Sequence, residues 1–341
     1  MPDLDSTALA AAHRAVQEAA MQFLVNPRVS LVDFGYRIRD QEGFRVTDEH
    51  CLRIHLRDKP RGEQLESLEA QRPELYLRED ELLALTARHG FPVDLPLGDY
   101  RPSSAVGGYA PVAAPPEWAP PRRDRALDPM LGGISVGNAW IPGAGTLGGK
   151  VVDRRGTPLL LSNWHVLSGR WWIGAGAPVC QPGRLDGGST GDVVAHLARD
   201  AWRSGLDAAV ATLATGSRRL VNDQLGLGPV TGSATPAPLM RVTKSGRTTG
   251  LTWGIVTSIL PGRMFSYPDG FPRAVRDIWV IEPELELDRV SGSGDSGSWW
   301  LDADSRRAVG LHFAGERVPS RALALGMPTV LEALDVQIAV T

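Results

Sequence analysis

Cysteine is almost missing from this chain of 341 residues: Cys51 and Cys180 stand far apart, in different candidate domains. Neither a disulfide framework nor a zinc site can be built from them, which points to a reducing compartment. Long apolar runs are missing as well. No stretch approaches the ~18 apolar residues of a membrane span. The start, Met1-Pro2-Asp3-Leu4-Asp5, is acidic and lacks the basic end and apolar core of a secretory signal. A cytoplasmic protein that does not enter a membrane is expected. Charge of one sign is equally scarce, with 36 basic residues against 39 acidic ones and a net charge of −3. Without a basic stripe, nucleic acid is not an expected partner. Abundant Ala, Arg, Gly and Pro suit a high-GC bacterium.

The length accommodates two domains, each with its own core. From Ser6 to Leu24 apolar residues recur at helical spacing, with Ser6 or Thr7 available as N-cap. Val29 to Arg39 and His50 to His55 read as strands around an Asp40-Gln41-Glu42-Gly43 turn. A small α/β domain over residues 1–100 is predicted. Residues 101–130 turn to Pro, Ala, Gly and Arg, with Pro115-Pro116 and Pro120-Pro121, and read as a linker. Beyond it, short apolar runs alternate with Gly/Pro turns: Gly148–Val152, Leu159–Ser162, Asp207–Leu213, Met240–Thr243, Gly254–Leu260, Ile278–Glu282, Ser298–Leu301 and Ala308–Phe313. That spacing predicts an all-β sandwich or a pair of barrels over residues 131–341, with a helix only at Thr329–Leu334.

Three segments carry chemistry. Leu161-Ser162-Asn163-Trp164-His165-Val166-Leu167 sets a histidine at the end of an apolar strand, where its imidazole can face a cleft as a general base. Gly205-Leu206-Asp207-Ala208-Ala209-Val210 opens a strand with an acid suited to burial and to holding an imidazole. Gly292-Ser293-Gly294-Asp295-Ser296-Gly297-Ser298 surrounds one serine with glycines, so the amides of Gly294 and Ser296 can converge on an oxyanion. Each segment alone has an ordinary structural use as a strand end, a cap or a loop. Together they supply the nucleophile Ser296, the base His165, the orienting Asp207 and the oxyanion donors of acyl transfer. The order His, Asp, Ser is that of the chymotrypsin arrangement.

On these residues the segment from about Gly132 onward resembles trypsin-like serine peptidases. It matches at Ser162-Asn163-Trp164-His165-Val166, Asp207-Ala208-Ala209-Val210 and Gly294-Asp295-Ser296-Gly297. It is similar in particular to bacterial cytosolic members that look related to plant NARROW LEAF 1-type proteins. That narrower likeness also draws on Gln181–Gly188, Gly246–Gly250, Ala308–Gly315 and the N-terminal segments Gly35-Tyr36, Arg53–Leu56 and Pro92–Pro96. The resemblance implies a mainly β, two-barrel peptidase domain preceded by the small α/β domain. It further implies serine endopeptidase activity on a protein or peptide substrate, a place in regulated proteolysis or prokaryotic defence, and no metal or cofactor. Asn163-Trp164 stands where digestive members have Ala-Ala, Trp299-Trp300 where the family has aliphatic residues, and no activation-cleavage site is present to supply a partner for Asp295.

The resemblance also places Val290 at the base of the primary specificity pocket, so the acid that reads Arg or Lys is absent. Gly310-Leu311-His312-Phe313-Ala314-Gly315 is similar to the wall strand of glutamyl endopeptidases, which implies that His312 contacts an acidic side chain, with hydroxyls of Ser291 and Ser293 beside it and Arg317 just beyond. A core histidine is the competing role for His312.

Gly143–Gly148 matches a dinucleotide fingerprint, yet a strand and not a helix is predicted after it. His50 and His55 fall on opposite faces of one strand, so no shared metal is expected. Lys244–Gly250 is basic and glycine-rich, which suits either a phosphate site or a barrel-closing hairpin. Two further functional classes stay open: a binding or scaffolding module on the same fold with its site held closed, and an N-terminal domain that takes a regulatory partner.

Overall fold

The computed structural model describes residues 6–39, 45–98, 101–102, 122–284, 289–317 and 320–340. The turn at 40–43 and most of the expected linker, residues 103–121, lie outside them. The chain divides into two compact units. The first comprises Met1–Tyr100 with two short later pieces, Thr257–Pro261 and Leu285–Leu287. The second holds the rest.

In the first unit, helix α1 (Ser6–Phe23) buries Ala12, Ala15, Val16, Ala19 and Phe23 in one cluster with Val32, Phe34, Leu52 and Ile54. Those last four come from the antiparallel strands β1 (Val29–Arg39) and β2 (Arg45–Leu56). β2 also pairs in parallel with β3 (Val93–Asp94). Helices α2 (Glu63–Gln71) and α3 (Glu79–His89) escaped the sequence reading because they carry little amphipathic signal. α2 buries nothing, and α3 buries only Leu85.

The late segment Thr257–Pro261 joins this unit by pairing Ile259 with Phe34 and Ser258 with Gly35. A Cβ on Gly35 would lie 2.4 Å from that of Ser258, so only glycine permits the approach. Beneath it sits a fully buried polar group. Arg53 grips Asp33 with two hydrogen bonds of 2.7 Å and donates to Ser258 Oγ at 2.6 Å, while His55 meets Asp33 at 3.2 Å. Burial alone would raise the Asp33 pKa; the Arg53 and His55 charges outweigh it and hold the carboxyl far below its usual range.

The second unit is mainly β and forms two antiparallel barrels. The first barrel consists of β4 (Ser135–Asn138), β5 (Gly145–Thr146), β6 (Gly149–Val152), β7 (Pro158–Ser162), β8 (Pro178–Cys180), β9 (Val193–Asp200) and β10 (Ala209–Leu213). Pairing runs β6–β7–β10–β9–β8–β4–β5. The link between β5 and β6 closes the ring, with Leu147 N–H donating to Ile134 and Gly148 N–H to Leu161. A strand therefore follows the Gly143–Gly148 fingerprint, as the sequence requires of a barrel turn.

The second barrel comprises β11 (Arg241–Gly246), β12 (Gly250–Ser266), β13 (Pro272–Pro283), β14 (Trp299–Asp302), β15 (Ala308–Arg317) and β16 (Ser320–Gly326). The order β11–β14–β15–β16–β13–β12 returns to β11. Helix α5 (Met327–Ala333) follows. Strand β7 is buried at four of its five positions, and such a run shows no alternation in sequence.

Residues 122–130 differ from the expected linker. Arg123 is buried, donates to the Gly133 carbonyl at 3.1 Å and bonds Ser245 Oγ, which fastens this stretch to the second unit. Among the described residues no helix is long and apolar enough to cross a membrane, and no cluster of His, Cys, Asp and Glu could hold a metal.

The space for Trp299 comes from glycines. Trp299 and Trp300 are both fully buried, and a Cβ at Gly149 would come within 2.7 Å of the Trp299 ring. Gly149→Ala is expected to cost about 1–3 kcal/mol through overpacking, read as a lowered urea midpoint. A midpoint equal to that of the parent would show that Trp299 has room to shift.

Candidate active site

Strand β7 delivers the first piece. Its apolar residues anchor Ser162, and the chain then turns into the one-turn helix α4 (Trp164–Leu167), which carries His165. Asn163 donates to the Asp207 carbonyl at 2.6 Å, and the Trp164 ring stacks on Trp202 with centroids 4.9 Å apart. The Asn-Trp pair thus clamps the acid segment to the histidine segment.

Asp207 lies two residues before β10 and is fully buried. Its Oδ1 accepts from the His165 amide at 3.0 Å, and its Oδ2 bonds His165 Nδ1. A third donor, the Tyr267 hydroxyl, reaches Oδ2 at 3.0 Å. With Nδ1 carrying the proton toward the carboxylate, Nε2 presents its lone pair, as a general base must. Nε2 has no hydrogen-bond partner among the described residues. Beside the ring lies a pocket lined in part by Ile141, Pro142, Ala144, Val166 and Arg170.

The second barrel brings Ser296 against this assembly. The Thr146 amide donates to the Ser296 carbonyl at 2.7 Å, and a Cβ on Gly145 would meet both Val166, at 2.5 Å, and that same carbonyl, at 2.9 Å. Ser296 is buried, and its hydroxyl donates to the Phe313 carbonyl at 3.1 Å, not to His165. The amides of Gly294 and Ser296 make no hydrogen bond among the described residues, so both are available to an oxyanion. Gly294 and Gly297, at φ of 102° and 98°, hold conformations that favour glycine and set the loop's turn.

What shapes this loop is a part the sequence reading set aside. Asp295 is fully buried and takes five donors: the amides of Gly292, Thr248 and Thr249, the Thr249 hydroxyl at 2.6 Å, and Lys244 Nζ at 2.9 Å. Lys244 is itself fully buried, and its ammonium lies 5.4 Å from the centre of the Trp300 ring. Desolvation would raise the Asp295 pKa; the Lys244 charge and the hydrogen bonds overcome it and leave the carboxyl well below its usual range. Thr248 Oγ1 donates to the Ser293 carbonyl at 2.6 Å, and Thr146 Oγ1 to that of Gly294 at 2.9 Å. Lys244–Gly250 is thus a hairpin segment that braces the serine loop. A lysine in a chain with only three of them was the signal available in sequence.

Of the expected pocket residues, His312, Ser291 and Gly315 lie together. Ser291 Oγ is 2.8 Å from His312 Nε2, and a Cβ on Gly315 would fall 2.6 Å from that hydroxyl. His312 is fully buried; desolvation and then the Lys244 charge push it down to about 3, so it is neutral at neutral pH. Val290 is buried against Gly254, Phe313 packs edge-on against Phe265 at 5.1 Å, and Ser293 is half-buried. The Arg317 side chain lies outside the described residues.

No family model and no curated protein matches this chain. Among solved structures it is similar to a Nocardiopsis protease, at 19% identity and a TM-score of 0.46 over 61% of this chain and 97% of that one. A glutamic acid specific serine protease described as using a histidine triad in substrate binding gives 19% and 0.46 over 62% and 100%. A chymotrypsin of Cellulomonas bogoriensis gives 21% and 0.44 over 62% and 98%. At these identities and scores the likeness assigns no role to any residue here.

Two outcomes follow from the buried charges. Lys244→Met strands the Asp295 carboxylate and is expected to cost about 3–5 kcal/mol in urea unfolding; a loss below about 1 kcal/mol would mean that the remaining donors suffice. For His312, the unfolded imidazole takes up a proton near its ordinary value of 6.5 and the folded one only near about 3. Its contribution to stability is therefore full above that window and lost as pH falls through it. His312→Gln should flatten the fall of the thermal midpoint with acidification, and an unchanged acid slope would assign that fall to other groups.

Proposed function

We propose that this protein is a serine endopeptidase that cleaves a protein or peptide substrate through an acyl-enzyme. The observation that carries this reading is the buried Asp207–His165 pair, with Nε2 unpartnered and Ser296 brought against the same wall. Rotation of the Ser296 hydroxyl from the Phe313 carbonyl toward Nε2 would complete the relay. Ser296 Oγ then attacks the scissile carbonyl as its proton passes to His165. The amides of Gly294 and Ser296 hold the oxyanion, and His165 returns the proton to the departing amine. Water repeats these steps on the ester and frees the enzyme.

Val290 offers no counter-charge to Arg or Lys, so the residue before the scissile bond is read as acidic or medium-sized and apolar. An acidic side chain would be met by the Ser291 hydroxyl, supported by His312 Nε2 at 2.8 Å, and not by an imidazolium, since His312 stays neutral. The proposed chemistry requires neither a metal nor a cofactor.

One observation favours a second reading, a binding module held closed: Ser296 and His165 are both buried, and the bond between them is unmade. Under either reading the N-terminal unit is a candidate site for a regulatory partner. Cutting at the linker is a poor test of that role, because Thr257–Pro261 group with residues 1–100 and would lose their pairing partners.

The deciding measurement is reaction with a fluorophosphonate, read by intact mass, beside Ser296→Ala. A single adduct on the parent alone is expected. Absence of an adduct on both would reject the peptidase reading for the free protein and favour the closed module.

A further inference from the structure

Tyr267 belongs to none of the three sequence segments that suggested chemistry. It sits at the end of β12, where Tyr267-Pro268-Asp269-Gly270 turns the chain toward β13, and the Gly270 amide closes the turn onto its carbonyl at 2.9 Å. This hairpin belongs to the second barrel, whereas Asp207 belongs to the first. The Tyr267 hydroxyl nevertheless ends 3.0 Å from Asp207 Oδ2, the same oxygen that receives His165 Nδ1–H. A buried carboxylate keeps its charge and its orientation only when donors meet its lone pairs. At Asp207 those donors are the His165 amide, the His165 ring and this phenol.

The phenol has little freedom to be elsewhere. Its ring stands edge-on to Trp202 at 5.2 Å and to Trp164 at 6.1 Å, and tilted to His165 at 6.0 Å. Arg273 from the same hairpin covers the cluster, with its guanidinium 4.6 Å from the Trp164 ring, 5.2 Å from Trp202 and 5.4 Å from Tyr267, and is anchored to Asp269. The charged and titratable groups around Tyr267 are thus Asp207 and His165 from the first barrel, and Asp269 and Arg273 from its own hairpin. Burial, and then the Asp207 charge, hold the phenol protonated far above its ordinary range, against a smaller opposing pull from Arg273.

We propose that Tyr267 is a positioning residue for the triad: by donating to Asp207 Oδ2 it orients the carboxylate toward His165 Nδ1 and takes up part of its charge. The role rests on the peptidase reading for its consequence in activity, though the hydrogen bond itself does not. It also makes an element of the second barrel part of the first barrel's acid–base pair, so the pair is complete only when both barrels are in place.

The test is Tyr267→Phe in the full chain, with two readouts beside thermal unfolding. The first is the downfield proton resonance of His165 Nδ1, assigned by its absence in His165→Gln; it should move or vanish when the phenol is lost. The second is the fluorophosphonate labelling rate, expected to fall about tenfold to a hundredfold, the equivalent of one hydrogen bond to a charged group. Folding should persist, because the ring stays. An unmoved resonance together with a parental labelling rate would overturn the proposal, whatever the change in melting. If the parent itself resists the probe, the peptidase reading fails, while the resonance still decides the role of Tyr267. Should the Phe variant not fold, replacement of tyrosine by 3-fluorotyrosine keeps the hydroxyl as a stronger donor. The resonance should then respond, and an unaltered one would equally overturn the proposal.

Discussion

A carboxylate with no access to water adjoins the candidate nucleophile, and much of the second barrel answers its demand for donors. Asp295 could not remain ionised on hydrogen bonds from its own loop alone. Lys244 supplies the counter-charge, and the hairpin that carries Lys244 also supplies two amides and a hydroxyl. The loop's conformation, with the amides of Gly294 and Ser296 left unbonded, follows from where those donors sit. A counter-charge that comes from a side chain inside the barrel is present as soon as the chain has folded. No cleavage is needed to create it.

The two barrels solve the same electrostatic problem in different ways. In the first, Asp207 is balanced by an imidazole that changes protonation during the proposed chemistry, so its remaining contacts are neutral donors that do not fix that proton's place. In the second, Asp295 is paired with the Lys244 ammonium and holds geometry only. Swapping the two schemes would fail on physical grounds: an ammonium beside Asp207 would compete with His165 for the carboxylate, and a lone imidazole beside Asp295 would leave the carboxylate without a steady partner.

The main architecture was legible where a strand carried a run of apolar residues or a motif required a particular turn. Helix α1, strand β1 and the strand β7 that leads into His165 fall into this class, because the local apolar pattern marks them. Strands such as Val193–Asp200 were missed, since their partly exposed charged residues hide the barrel face. Lys244 and Tyr267 were harder still. Each acts on a carboxylate distant in sequence, 51 and 60 residues away, and neither lies in a segment whose own pattern announces the contact. The same holds for the extent of residues 122–130, whose composition resembles a linker although the Arg123 guanidinium bonds the Gly133 carbonyl and, far away in sequence, the Leu225 carbonyl and Ser245 Oγ.

The assignment of Thr257–Pro261 to the first unit bears on synthesis. Arg53 finds its Ser258 partner 205 residues later, and Asp33 does so 225 residues later. A ribosome that has made only the N-terminal domain has not yet made the strand that completes it. The N-terminal sheet therefore keeps an open edge, and its buried charges lack one donor, until most of the second unit has emerged. Folding strictly domain by domain would leave the N-terminal sheet without this edge strand, and an open edge is a surface that another strand can engage.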